Sequence, residues 1–125
     1  MTMAFNQEWV TRLISTIETR PGMYIGDERV STLANYLSGY CDALRDAGLY
    51  DGAPHPAPLP LFYKWLTLRT GSRINLGWRR LIETIDDGDH NVHTFFRLFA
   101  EFTTARAKDG DAAIEQGYAK LGLRW

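Results

Sequence analysis

Apolar residues recur at spacings of three and four along most of this chain. Such spacing puts them on one face of an α-helix, and no segment shows the sustained two-residue alternation of a half-buried strand. A chain of 125 residues fits one domain. The sequence therefore predicts an all-α fold, a single domain over residues 1–125 with about five to six helices. The predicted helices cover residues 6–19, 29–47, 61–70, 75–86, about 89–108 and 112–121.

Single residues add detail to these helices. Asn6 is predicted to cap the first helix and Gly48 to end the second. Gly39 interrupts the second helix, which suggests that another backbone approaches closely there, and Cys41 falls on its apolar stripe. The fifth helix is the most apolar, so we expect it in the middle of the bundle. The last helix, 112–121, is less apolar and is expected at the periphery.

The connector over residues 49–60 contains four alternating prolines. Because proline favours extended polyproline-like backbone, this segment is predicted to be a spacer between helices. Recognition by a proline-reading module is an alternative that requires the segment to be exposed.

One stretch between the first two helices differs from the rest of the chain. Proline fixes φ and pushes the preceding residue away from helical angles, so the first helix should end there. Three bulky apolar residues follow in a segment judged too short for a helix, and we expect them to anchor the loop in the core. Two glycines flank them, and an aspartate leads into the second helix. The residues of this structural loop are Arg20, Pro21, Gly22, Met23, Tyr24, Ile25, Gly26 and Asp27.

Charge and cysteine content exclude several classes of protein. With 14 basic and 15 acidic residues, the chain lacks the excess of Lys and Arg that nucleic-acid backbone binding needs. Its one cysteine excludes an internal disulfide framework and fits a reducing compartment. We see neither a signal peptide nor a run of roughly 20 apolar residues that could span a bilayer. A cytoplasmic protein that binds neither nucleic acid nor membranes is expected.

The segment 86–93 is the one candidate for a metal site. His90 and His93 would lie one helical turn apart, with three carboxylates nearby. No third histidine or cysteine is close, so an ordinary turn followed by a capped helix is the preferred interpretation. No serine lies in a nucleophile elbow, and Cys41 is assigned to the core. We therefore predict no metal, no cofactor and no catalytic residues.

The stretch from Arg20 to Asp27 resembles a loop in the ATPase domain of gyrase B and its relatives. In that family the following helix carries a catalytic glutamate and a magnesium-binding asparagine. Here those positions fall at about Ser38 or Gly39 and at Ala43, which cannot do this chemistry, and the later Asp-x-Gly-x-Gly motif is missing. The resemblance covers about eight residues and implies a shared loop design without ATPase activity.

A series of apolar anchors runs through most of residues 9–102. They are the Trp9 helix, the Arg-Pro-Gly-Met-Tyr-Ile-Gly loop, Gly39-Tyr40, Phe62-x-x-Trp65, Trp78 and the Phe95 to Phe102 helix. In this order of anchors the chain resembles a group of small bacterial proteins, many of them immunity proteins of polymorphic toxin or contact-dependent inhibition systems. The resemblance implies a non-catalytic protein that neutralises a cognate toxin C-terminal domain in the cytoplasm by occlusion.

Two surfaces are candidates for binding such a partner. Asp86, Asp87 and Asp89 would mimic phosphates if the toxin is a nuclease, and Tyr50 adjoins the proline-rich connector. Two alternatives remain open. The chain could be a small ligand-binding or enzymatic domain that uses the Arg20–Asp27 loop, or an interaction protein that forms a homodimer through exposed aromatic residues.

Overall fold

The computed structural model describes residues 8–52, 55–73 and 75–123, so the predicted Asn6 cap lies outside the described residues. Within these ranges the protein forms seven α-helices and no strand, which confirms the all-α prediction but exceeds the predicted helix count. None of the described helices is long and apolar enough to cross a membrane. In chain order they are α1 Trp9–Thr19, α2 Pro21–Ile25, α3 Val30–Asp46, α4 Leu59–Thr70, α5 Gly77–Ile85, α6 Val92–Asp109 and α7 Asp111–Ala119.

Aromatic rings of α4 and α6 form the centre of the core. Phe62 of α4 is fully buried. The ring centroids of Phe95, Phe99 and Phe102 lie 5.5, 5.2 and 5.4 Å from that of Phe62. The three- and four-residue spacing of these phenylalanines turns them to one face of α6. Because α6 packs against α3, α4 and α7, it occupies the central position that its apolar content predicted.

The last helix, α7, buries only Ile114, as its low apolar content predicted, but it lies close against α4. A Cβ atom added at Gly117 would be 3.2 Å from Leu68 Cδ1, so the missing side chain allows this close approach. Lys64 Nζ lies 2.7 Å from Glu115 Oε2 across the same pair of helices. A glycine carries no apolar side chain, so the spacing of apolar residues gave no signal for this contact at Gly117.

An arginine near the end of α6 connects the starts of two other helices. The Arg106 guanidinium donates to both carboxylate oxygens of Glu8, at 2.7 and 2.5 Å, just before α1. It also donates to both oxygens of Asp111, at 2.7 and 3.0 Å, at the start of α7. These bonds raise the pKa of Arg106 and lower the pKa of Asp111.

The proline-rich connector is packed rather than a free spacer. Tyr50, Pro56 and Pro58 are buried, and α4 begins at Leu59 instead of residue 61. Proline is tolerated in the first turn of a helix, where the missing N–H has no intrahelical partner, so Pro60 does not delay the start of α4.

Two further expectations about helix faces need correction. A Cβ atom added at Gly39 of α3 would meet no described atom within 4 Å, so no part of the backbone that the structure describes approaches it closely. Ile85 continues the apolar spacing of Leu81 and Ile82 along α5, which predicts burial, but it is the last residue of the helix and is 45% exposed. The other assignments in α3 are confirmed: Cys41 is buried, and Gly48, with φ of 72°, follows the end of the helix.

Candidate functional site

The structure joins the two segments that the sequence singled out. The first is the turn between α2 and α3 (residues 26–29), and the second is the acidic turn between α5 and α6 (residues 86–91). The backbone N–H of Val92 donates to the carbonyl of Glu28 at 3.0 Å. The backbone N–H of Val30 donates to Asn91 Oδ1 at 2.7 Å. The two turns therefore form one hydrogen-bonded unit at the start of α3.

Asn91 is the residue that holds this unit together. While its Oδ1 accepts from the first residue of α3, its Nδ2 donates to the carbonyl of Asp86 at 3.0 Å. The side chain is 5% exposed, so these bonds are shielded from water. Asn91 directly precedes α6, where an asparagine is a common N-cap, but its side-chain amide caps α3 instead.

Charged side chains add a second layer of contacts on the solvent side. Arg29 Nη2 lies 2.6 Å from Asp89 Oδ1. The Glu28 carboxylate lies 2.6 Å from His93 Nε2 and 3.4 Å from His90 Nε2. Both histidines thus face one carboxylate from the other turn. Among the described residues, no group of three or more metal-ligating side chains is arranged to hold an ion.

The three aspartates proposed for partner binding have different environments. Asp86 accepts from the Gly88 N–H at 2.9 Å and from the Thr94 hydroxyl at 2.6 Å, which lowers the pKa of its carboxyl group. Asp89 is paired with Arg29. Within the part of the chain that the structure describes, Asp87 has neither a hydrogen bond nor an ion pair, and it is exposed.

Tyr50, the fourth residue proposed for partner binding, belongs to the core. It is 9% exposed, and its ring meets Trp9 edge-on at a centroid distance of 5.7 Å. Burial also raises the pKa of its hydroxyl group. Its place in a proline-rich connector gave no sign of this packing, and its side chain leaves little surface for a partner.

The loop from Arg20 to Asp27 departs most from its prediction. Pro21 ends α1 as expected, but it is also the first residue of the short helix α2. Successive residues of a helix are rotated by about 100°, so three consecutive side chains cannot all face the core. Ile25 is 9% exposed, whereas Met23 is 71% and Tyr24 37% exposed. The prediction that all three anchor the loop in the core is therefore wrong for Met23 and Tyr24.

The backbone on either side of these exposed side chains is fixed. At the start of α2, the Arg20 carbonyl accepts from the N–H groups of Met23 and Tyr24 at 3.1 and 3.3 Å. After α2, Asp27 accepts from the Arg29 N–H and from the Thr32 hydroxyl, each at 3.0 Å, which lowers the pKa of Asp27. The exposed side chains of Met23 and Tyr24 therefore lie between two segments of backbone that are held by hydrogen bonds.

Glu28, Arg29 and the bridging role of Asn91 were not found from the sequence. Their partners lie about 60 positions away, for example 61 between Val30 and Asn91. Local spacing carries no signal for such contacts. The protein matches no family model, no curated protein and no solved structure in the comparisons made.

Proposed function

We propose that this chain is an immunity protein that binds a cognate bacterial toxin domain in the cytoplasm and neutralises it by occlusion, without catalysis. The resemblance of its apolar anchors to those of immunity proteins suggests the class of partner. The observation that carries the proposal is the exposure of Met23 and Tyr24, 71% and 37%, on a helix whose flanking turns are fixed by hydrogen bonds.

The proposed binding surface has an apolar centre and a polar margin. Met23 and Tyr24 supply the centre, and aromatic residues are enriched among the side chains that dominate binding energy. Glu28 lies three residues after the last residue of α2. Its carboxylate contacts His90 and His93, so the acidic turn lies at the same end of α3 as α2. Asp87 adds an exposed carboxylate, which favours a partner with a basic active-site margin.

The direct test is co-expression with the toxin domain encoded upstream of this gene, if a large secreted protein with a variable C-terminal domain is found there. We expect this chain to restore growth and to co-purify with the domain. If it neither binds the toxin domain nor rescues the cells, the proposed function is wrong.

A double variant, Met23→Ala with Tyr24→Ala, tests the surface itself. We expect a folded variant with at most a moderate decrease in melting temperature, because Met23 is 71% exposed while Tyr24 is partly covered, and a loss of at least about thirtyfold in affinity for the toxin domain. Leu49→Ala is the control. Leu49 is also an exposed apolar residue, 49% exposed, but it follows the opposite end of α3.

Sedimentation of the unmodified chain tests the homodimer alternative on the same surface. A dimer that dissociates in the double variant would assign Met23 and Tyr24 to self-association. If the double variant still binds the toxin domain with full affinity, the proposed function stands, but Met23 and Tyr24 are not the binding surface.

A further inference from the structure

A groove lies apart from the joined turns, between the middle of α3 and the first turns of α4 and α5. Its volume is about 570 Å³, which lies within the range of small-molecule sites in proteins. Ala34 to Ser38 of α3 form one side, and the segments around Leu59 and Trp78 form the others.

The floor of the groove is apolar and already packed. Leu37 and Leu59 are 3% and 4% exposed, and Pro56 is buried beside them. Trp78 is partly buried, and its ring lies 5.1 Å from that of Phe95 in the core. The ring is therefore held against the core, so the floor needs little rearrangement to cover an apolar ligand.

The rim of the groove is basic. Lys64, Arg79 and Arg80 line it, and no carboxylate is present among its described lining residues. The partners of the first two, Glu115 at 2.7 Å and Glu83 at 3.8 Å, lie outside the lining.

Arg80 is the most available of these cations. It is exposed and forms no ion pair with any described part of the chain. The side-chain amides of Asn35 and Asn75 supply further hydrogen-bond donors to the same groove.

We infer that this groove binds an organic anion that has a flat apolar body and a carboxylate. The apolar floor would cover the body, and a guanidinium at the rim can bind both oxygens of a carboxylate at once. Charge complementarity selects the anion, since the lining offers cations and amide donors without a competing carboxylate. The site goes beyond the proposed toxin-binding function and does not depend on it.

Titration followed by ¹H–¹⁵N NMR tests the inference with 2-naphthoate as the probe. We expect saturable shifts at Leu37, Leu76 and the Trp78 indole N–H. Acetate, which carries the charge without the apolar body, should give no such shifts. The cation 2-naphthylmethylammonium should bind at least about tenfold more weakly, because it loses the charge-assisted bonds and meets like charges. Equal binding of the two naphthyl probes, or no shifts with 2-naphthoate, would overturn the inference.

Arg80→Gln tests the rim in the same experiment, and Arg97→Gln is its control. Arg97 is an exposed arginine on α6 outside the groove lining. We expect Arg80→Gln to weaken 2-naphthoate about tenfold and Arg97→Gln to leave it unchanged. Because Arg80 is exposed and has no ion pair among the described residues, its replacement should not affect folding. Equal affinity of both variants and the unmodified chain would contradict an anion site.

Discussion

At the scale of single residues, the side chain of Asn91 connects two parts of the fold through two hydrogen bonds. Its amide satisfies the N–H of Val30, which is fully buried, and also bonds the carbonyl of Asp86. A buried N–H without a partner loses its bond to water and gains nothing in return. Together with the backbone bond from Val92 to Glu28, this side chain holds the joined turns in place.

Replacing Asn91 by Ala should lower the free energy of unfolding by about 1–3 kcal/mol, the cost of a buried backbone donor left unsatisfied. Urea unfolding measures the change. Asn35→Ala makes the same chemical change at an exposed position of α3 and should retain full stability or gain slightly from helix propensity. If Asn91→Ala is as stable as the unmodified chain, water or another group replaces the amide.

At the scale of elements, the sequence predicted helices wherever an apolar stripe ran for several turns. The stripes of α3 and α6 are recovered because the three- and four-residue spacing of apolar residues is visible locally in the sequence, and most of these residues are buried. Helix α2 has 5 residues, too few for a period to be visible, so the exposure of Met23 and Tyr24 was missed. The junction of the two turns was missed as well, since it joins residues 61 positions apart. The candidate site was thus found as two segments, while its geometry required the structure.

Two glycines of these elements should respond to alanine in opposite directions. Gly39 lies in the interior of α3 with open space around it, so Gly39→Ala should stabilise the protein by about 0.5–1 kcal/mol through helix propensity. Gly26 ends α2 at φ of 91°, where a Cβ is strained, so Gly26→Ala should cost about 1–2 kcal/mol. Thermal and urea unfolding of the two variants give both values. If Gly39→Ala instead destabilises the protein, another part of the chain does pack closely against Gly39, as the sequence suggested.

At the scale of the whole molecule, three carboxylates hold turns and helix starts at two places, the joined turns and the start of α7. Asp27 accepts hydrogen bonds after α2, Asp86 accepts them before α6, and Asp111 binds Arg106 at the start of α7. Each interaction favours the ionised form, so the pKa of each carboxyl group lies below its ordinary value of 3.8. Acid should therefore weaken both the joined turns and the contact between Arg106 and the start of α7.

The stability of the folded chain should decrease as the pH falls below about 4. Because folding lowers these pKa values from 3.8, the unfolded chain binds more protons than the folded chain in this range. The stabilisation is complete above the unfolded value and is lost as the pH drops through the folded values. Urea unfolding between pH 2.5 and pH 6 measures this dependence.

Asp86→Asn removes one of the three titrating groups. That variant should be less stable at pH 6 and should lose less stability on acidification than the unmodified chain. Asp87→Asn, in the same turn but without a hydrogen bond or ion pair among the described residues, should change neither property. If Asp86→Asn retains the full pH dependence, the bonds from Thr94 and Gly88 do not stabilise the ionised carboxylate. The acid sensitivity would then have to come from Asp27 and Asp111, the two other carboxylates with lowered pKa values.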